Sequence, residues 1–214
     1  CKTIGDSAFK LSSVFSQFPV CLRNRHFIGF ALCGGATYAA MFSYISTSSF
    51  IMIELLGIAP EYFGYTFMIV VIGYVSGATI SSRLVNRWGI IGVLTLGQSV
   101  GLLAAGLLLL LAWLDVSRLI PVLAVFFLVF AAGGLCLPIG QMGAISELPK
   151  AAGRASSVFG FLQIAFAALL GYLVGLYYND TLMPVALGVI VSVLISVTGC
   201  LIVRTAPKPG HAQV

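Results

Sequence analysis

Six apolar runs divide the chain at roughly 27–53, 62–81, 90–114, 119–142, 155–178 and 182–203, with short polar links between them. A bilayer core takes about 20 residues of helix, so the pattern predicts six transmembrane helices and little else. The links carry the turn chemistry such helices need. Gly57 and Pro60 end one run and begin the next, with Glu61 placed to complement the following helix's positive end. Asp115 to Arg118 and Asn179 to Thr181 make the turns after the third and fifth runs, and Pro184 sits just inside the sixth. Ser82 to Gly89 is a doubly basic link between the second and third runs. In the second run Gly73 and Gly77 form a G-x-x-x-G step, which lets another helix approach closely.

The runs differ in kind. The third and sixth are apolar nearly all round. The first is rich in hydroxyls and rings, with Thr37, Tyr38, Phe42, Ser43, Tyr44, Ser46, Thr47, Ser48 and Ser49. Hydroxyls of this sort return to the carbonyl one turn back, and so many in one span point to a face towards protein or water. The fourth run holds Gly133, Gly134 and Pro138, and the fifth Gly160, Gln163, Gly171 and Gly175. This gives a period of three helices: two triplets, the last helix of each facing lipid, as inverted repeats produce. Gln98 in the third run reads as an interhelical hydrogen bonder.

Before the first run, Leu11, Val14, Phe15, Phe18 and Leu22 recur at one-stripe helical spacing, with Lys10, Arg23 and Arg25 off the stripe. An interfacial amphipathic helix fits this spacing, with Pro19 bending or ending it, and a disordered linker is the alternative. The organisation is a 1–26 cytoplasmic segment, a 27–204 six-helix bundle and a 205–214 cytoplasmic tail.

Composition agrees with this plan. Apolar residues make up 60% of the chain and charged residues 8%, whereas soluble domains run near a quarter charged. The fold class is all-α, a polytopic membrane protein. The net charge of +5 does not imply nucleic acid, because the basic residues sit singly or in pairs in links rather than on a patch that tracks phosphates. Lys2, Lys10, Arg23, Arg25, Arg83, Arg87, Lys150, Arg154, Arg204 and Lys208 fall on one side of the bundle and Arg118 alone on the other. Glu54, Glu61, Asp115 and Asp180 lie on the less basic side. The positive-inside rule then places both termini in the cytoplasm.

The five cysteines, Cys1, Cys21, Cys33, Cys136 and Cys200, share no metal or redox spacing, and three lie in apolar runs, so neither a disulfide framework nor a metal site is expected. His26 reads as an interfacial residue. An intramembrane enzyme would need a nucleophile–base or metal set within the spans, and neither His26 nor His211 lies in one. The chain starts at Cys1 with no signal-peptide pattern, and a mature lipoprotein's Cys would lie on the other side of this topology; the expectation is a portion of a longer protein.

Ser82 to Ile91 resembles a degenerate copy of the major facilitator signature G-x-x-x-D-R-x-G-R-R, which joins the second and third helices of each half. Arg87 and Gly89 match; Ser82 stands for the first Gly, Asn86 for the Asp, and Ile90 and Ile91 for the closing basic pair, with Arg83 between. Two longer stretches, FALCGGATYAAMFSYISTSSFIMIELLGIAPEYFGYTF (Phe30 to Phe67) and LPIGQMGAISELPKAAGRASSVFGFLQIAFAALLG (Leu137 to Gly171), are similar to the bicyclomycin-resistance/chloramphenicol-exporter drug–proton antiporters in their seventh-to-eighth and tenth-to-eleventh helices. The A-G-x-A-S-S-x-x-G-F-x-Q pattern of Ala152 to Gln163 is the most specific part, and Ser49 stands where such proteins often have Pro. The resemblance covers nearly all the chain, as the C-terminal half of a twelve-helix transporter, with 1–26 as the end of its central cytoplasmic loop.

The resemblance implies a multidrug exporter of the inner membrane that uses no cofactor and is driven by the proton gradient. Its partners would be the lipid bilayer, small lipophilic drugs and a missing N-terminal six-helix half. Intramembrane ionisable residues mark proton relays, and no Asp, Glu, Lys or Arg sits in the middle of a run. The coupling carboxylate is therefore expected in the other half, and Glu54, the nearest acid, reads as an interfacial or helix-end residue, with proton coupling as the alternative. Tyr38, Met41, Phe42, Ile45 and Ser49 share one face of the first run and are the expected drug contacts, with Gln141 and Gln163 second. Ordinary helix packing is the alternative role for each. Aromatic and Met walls suit lipophilic ligands because they adapt without fixed hydrogen bonds. The alternative for the whole chain is a structural, assembly or remnant bundle that pairs with a separate N-terminal half.

Overall fold

Asn24 starts the first described helix. Its backbone is extended and its Oδ1 accepts from the His26 and Phe27 N–H groups at 2.9 and 3.3 Å, satisfying donors that a helix end leaves free. The fold is a computed structural model that describes residues 24–205 apart from Ser117, Pro149, Lys150 and Tyr178. The amphipathic stripe of Leu11 to Leu22, residues 206–214 of the tail, and Lys2, Lys10, Arg23, Lys150 and Lys208 lie outside the described residues.

Helix α1, Arg25–Ser49, runs into a π-helical segment, Phe50–Leu55, and ends at Gly57, which has φ 66. It starts two residues before the expected boundary, and His26, expected at the interface, is buried. A helical run of 54 residues, Pro60–Trp113, follows, with Pro60 in its first turn. Straight, it would reach about 80 Å, against a hydrocarbon core of about 30 Å. Gly89 breaks it with φ 68 and ψ 175. We number its two parts α2 (60–88) and α3 (90–113). Helices α4, Leu119–Ser146, α5, Ala152–Leu176, and α6, Met183–Thr205, follow and complete the described residues. Among the described residues five helical runs are long and apolar enough to cross a membrane, and the break at Gly89 resolves them into the six helices that the pattern predicts.

The link Ser82 to Gly89 is not a loop. Helix α2 continues through it to Trp88, and the reversal is concentrated at Gly89. Ser81 Oγ donates to the Leu135 carbonyl at 3.2 Å, and Cys136 Sγ approaches the Leu94 carbonyl at 4.0 Å. Ser81 and Leu94 would lie about 20 Å apart on one straight helix, yet they reach adjacent residues of α4. The Gly89 angles fall in a region open essentially to glycine alone, where another residue costs on the order of 1–3 kcal/mol. Nothing lies within 4 Å of a Cβ built there, so backbone strain is isolated from crowding. Gly89→Ala is expected to lower the unfolding free energy of the detergent-solubilised chain by that amount; an unchanged denaturation midpoint would refute the strain argument.

The helices pair in an ordered way. Gly73, Gly77 and Ser81 of α2 meet Phe127, Ala131 and Leu135 of α4, so the numbers climb together and the two helices are parallel. Gly34, Gly35 and Phe42 of α1 meet Phe159, Phe166 and Gly171 of α5, also in parallel. Helix α1 runs antiparallel to α6, through Gly29 with Val203, Thr37 with Ser196 and Ser43 with Gly188. Helix α3 runs antiparallel to α4, through Gly97 with Cys136 and Gly101 with Ala132. Exchanging α1–α3 with α4–α6 maps each of these contacts onto another, which is the relation of an inverted repeat. Helices α1 and α4 cross at the centre, where Phe30, Gly34 and Met41 meet Gly143, Gly140 and Gly133.

Helices α3 and α6 do not face outward all round. Each buries one face, and the two meet through Gln98 with Ser196 and Gly101 with Val193. Leu103, Leu110, Leu194 and Leu201 form their exposed side, the side a lipid tail covers.

Candidate functional site

Helix α1 buries most of its hydroxyls and satisfies its buried Ser and Thr groups locally. Thr37 Oγ1, Ser43 Oγ and Thr47 Oγ1 donate to the carbonyls of Cys33, Ala39 and Ser43 at 2.7, 2.9 and 2.7 Å. Ser48 Oγ donates to the Ile45 carbonyl at 2.9 Å. With that backbone cost met, α1 presents Tyr38, Met41 and Ile45 towards a groove of about 530 Å³. Helix α2 adds Phe67, Val71 and Tyr74, α4 adds Phe130, Leu137, Pro138 and Gln141, and α5 adds Gln163. Ligand sites for drug-sized molecules have volumes of about 300–1,000 Å³ and largely apolar walls with a few polar groups. Here the polar groups are two phenols and two amides.

Of the seven residues expected to contact drug, Tyr38, Met41, Ile45, Gln141 and Gln163 line this groove. Phe42 and Ser49 do not. Phe42 packs on Gly171 of α5, whose Cβ position would be 3.0 Å from the Phe42 ring, and Ser49 is exposed at the end of α1. Helical periodicity treats the stripe as one straight face, whereas α5 covers the Phe42 edge of it. The α2 contribution, Phe67, Val71 and Tyr74, was not anticipated. The signal for it was present: if the triplets are inverted copies, the helix corresponding to α5 is α2, and both must border the groove. The signature residues Ser82, Arg83, Asn86, Arg87 and Gly89 are all exposed and lie away from the groove. Ser82 Oγ donates to the Thr79 carbonyl at 2.8 Å within its own helix.

Three helices, α1, α3 and α6, meet at one polar node. Gln98 Nε2 donates to Ser196 Oγ at 2.7 Å and approaches Cys33 Sγ at 3.2 Å. Ser196 Oγ lies 2.8 Å from Thr37 Oγ1 and 2.7 Å from the Cys33 carbonyl. Gln98, Ser196 and Thr37 are all buried. Gln98 thus occupies the interhelical role expected of it, tying α3 to α6 and α1.

Tyr44 does not line the groove but packs on two rings that do, Phe67 and Phe130. Its ring centroid is 4.2 Å from that of Phe126, 5.7 Å from Phe130 and 6.5 Å from Phe67. The side chain is fully buried, and among the described residues its hydroxyl is the one buried side-chain oxygen or nitrogen without a hydrogen-bond partner. Leaving such a group unsatisfied costs about 1–3 kcal/mol. No acidic or basic residue among the described ones is buried beside it; Glu54 is exposed at the end of the π-helical segment.

A six-helix inverted repeat with a groove between α1, α2, α4 and α5 is the architecture of one half of a major facilitator transporter. The chain is 24% identical to the bicyclomycin resistance protein homolog of Haemophilus influenzae over 188 residues, covering 88% of this chain and 47% of that protein. It is 26% identical over 163 residues to the uncharacterized MFS-type transporter YdgK of Bacillus subtilis, covering 75% of this chain and 39% of that one. The chain therefore spans about half the length of the curated relatives it matches or less, consistent with the C-terminal half of a bicyclomycin/chloramphenicol-type transporter. No protein-family profile matches the chain, and no solved structure does.

Proposed function

We propose that this chain supplies one wall of the drug site in a proton-driven multidrug exporter of the inner membrane, with both termini in the cytoplasm. The observation that carries this reading is the groove itself: about 530 Å³, walled by aromatic rings, Met41 and aliphatic side chains, with Tyr38, Tyr74, Gln141 and Gln163 as its polar groups. Such a wall suits small lipophilic drugs. In a complete transporter two six-helix bundles rock about a midplane site, each supplying one side. The basic ends of the described helices, at Arg25, Arg83, Arg87, Arg154 and Arg204, gather at one end of the bundle and support the cytoplasmic assignment. Coupling to protons needs an intramembrane acid, which in this reading belongs to the N-terminal half.

With only one wall, the chain alone is expected to show no vectorial drug uptake in proteoliposomes under an imposed pH gradient. Co-reconstitution with an N-terminal six-helix half from a related exporter is expected to restore it. Uptake by the chain alone would overturn the half-site reading. The second reading, a structural or remnant bundle that pairs with a separate half, predicts crosslinking to that half without restored drug resistance in cells.

A further inference from the structure

We propose that Tyr44 is a specificity-determining residue of the groove, whose hydroxyl is held without a partner in this arrangement and donates to a carbonyl-type acceptor on the cargo when the aromatic wall beside it parts. This rests on the groove being the drug site.

Placement carries the argument. Phe67 and Phe130 both line the groove and both pack on the Tyr44 ring, so one layer of rings separates Tyr44 from the cavity. Met41 and Ile45, one turn before it and directly after it on α1, also line the groove. A phenylalanine would fill the same space among Phe67, Phe126 and Phe130 without bringing a hydroxyl that has nothing to bond. Buried polar groups without partners are rare enough to require a reason, and a two-state device supplies one: the group is unsatisfied in one state and bonded in the other. The wall draws its rings from separate helices. Phe67 stands on α2, Phe126 and Phe130 on α4 and Tyr44 on α1, so a small shift between these three helices opens the ring layer without breaking any single helix. Among the described residues no buried charge and no other unpartnered buried side-chain polar atom competes for the role. The cargo class that follows is an aromatic or lipophilic molecule bearing a neutral acceptor oxygen.

The test uses the full chain in lipid nanodiscs with a matched pair of radiolabelled probes, benzophenone and diphenylmethane, which differ by the carbonyl oxygen. Binding to empty nanodiscs is subtracted. The unaltered chain is expected to bind both saturably, benzophenone about fivefold more tightly, the equivalent of roughly 1 kcal/mol for one neutral hydrogen bond. Tyr44→Phe is expected to remove that preference, weakening benzophenone about fivefold and leaving diphenylmethane unchanged, while its thermal midpoint stays level or rises. Equal changes for both probes, no change for either, or a lowered midpoint would overturn the assignment of the hydroxyl and leave the groove standing. Saturable binding of neither probe to the unaltered chain would overturn the groove reading, and this inference with it.

Discussion

Gly134→Leu is expected to separate α2 from α4 and to cost the chain about 3 kcal/mol, the upper part of the range for overpacking a core. The reason is that no side chain stands between the two helices there. A Cβ at position 134 would run into the Tyr74 carbonyl and lie 2.6 Å from the Ala78 nitrogen. From the other side, a Cβ at Gly77 would run into the Ala131 carbonyl, and one at Gly73 would lie 2.5 Å from the Phe127 carbonyl. Backbone cannot rotate aside as a flexible side chain does, so the helices must move apart along their length. In lipid, helix association rests on such close approach rather than on a hydrophobic driving force. Separation would also break the Ser81 bond to the Leu135 carbonyl and widen the groove between Tyr74 and Leu137. The matched control is Gly106→Ala on α3, where nothing lies within 4 Å of an added Cβ; it is expected to fall within about 0.5 kcal/mol of the unaltered chain. Reversible unfolding in mixed micelles with increasing sodium dodecyl sulfate measures both. Equal midpoints for the two variants would refute the packing argument.

Val71→Trp is expected to abolish drug binding while leaving the bundle folded. Val71 lines the groove from α2 and is exposed, so a larger side chain enters the cavity instead of compressing the core. An indole there fills part of the groove that Tyr38, Ile45 and Gln163 also line, the space the proposed cargo would need. Loss of about 1.4 kcal/mol of cargo contact is already a tenfold loss of affinity, and steric exclusion removes more than that. Probe binding in nanodiscs, read beside helical content by circular dichroism, checks both halves of the expectation. Phe42→Ala, which removes a ring packed on Gly171 outside the groove, is the comparison: it is expected to lower stability and leave probe affinity near that of the unaltered chain. The reverse outcome, with Phe42→Ala losing binding and Val71→Trp keeping it, would move the proposed drug site to the Phe42 edge of the α1 stripe.

That reversal of emphasis between Phe42 and Val71 shows where reading the chain in one dimension stops. Helical periodicity places Tyr38, Met41, Phe42, Ile45 and Ser49 on one stripe, because residues three and four apart are neighbours on a helix. It carries no information about which part of a stripe another helix will cover. Helix α5 covers the Phe42 edge, and the groove opens over Tyr38, Met41 and Ile45 instead. Phe67, Val71 and Tyr74 were passed over for the complementary reason. They are aromatic and aliphatic residues of a membrane run, and such a residue facing lipid cannot be told from one facing a drug cavity by type alone. The Ser82–Gly89 link shows the same limit at a smaller scale. Its charges fix which end of the bundle it belongs to, yet polarity alone does not distinguish a loop from the exposed last turns of α2.

What the sequence determined by itself is the number of crossings, their order, the shared side of the basic links and the triplet period. These follow from local quantities: a bilayer's thickness sets the run length, and the cost of moving Lys and Arg across it sorts the links. The glycines of the G-x-x-x-G step likewise declare a close approach without naming the partner. The tertiary structure decided the rest: that Gly73 and Gly77 meet α4 in parallel, that Gln98 reaches Ser196, that four helices leave a groove between them, and that Tyr44 is sealed behind two of its walls. Each of these depends on which faces meet across tens to more than a hundred residues of chain, and in an apolar solvent many faces are equally hydrophobic. Only the fit of backbone to backbone and the pairing of the few polar groups select among them, and those are properties of the assembled bundle.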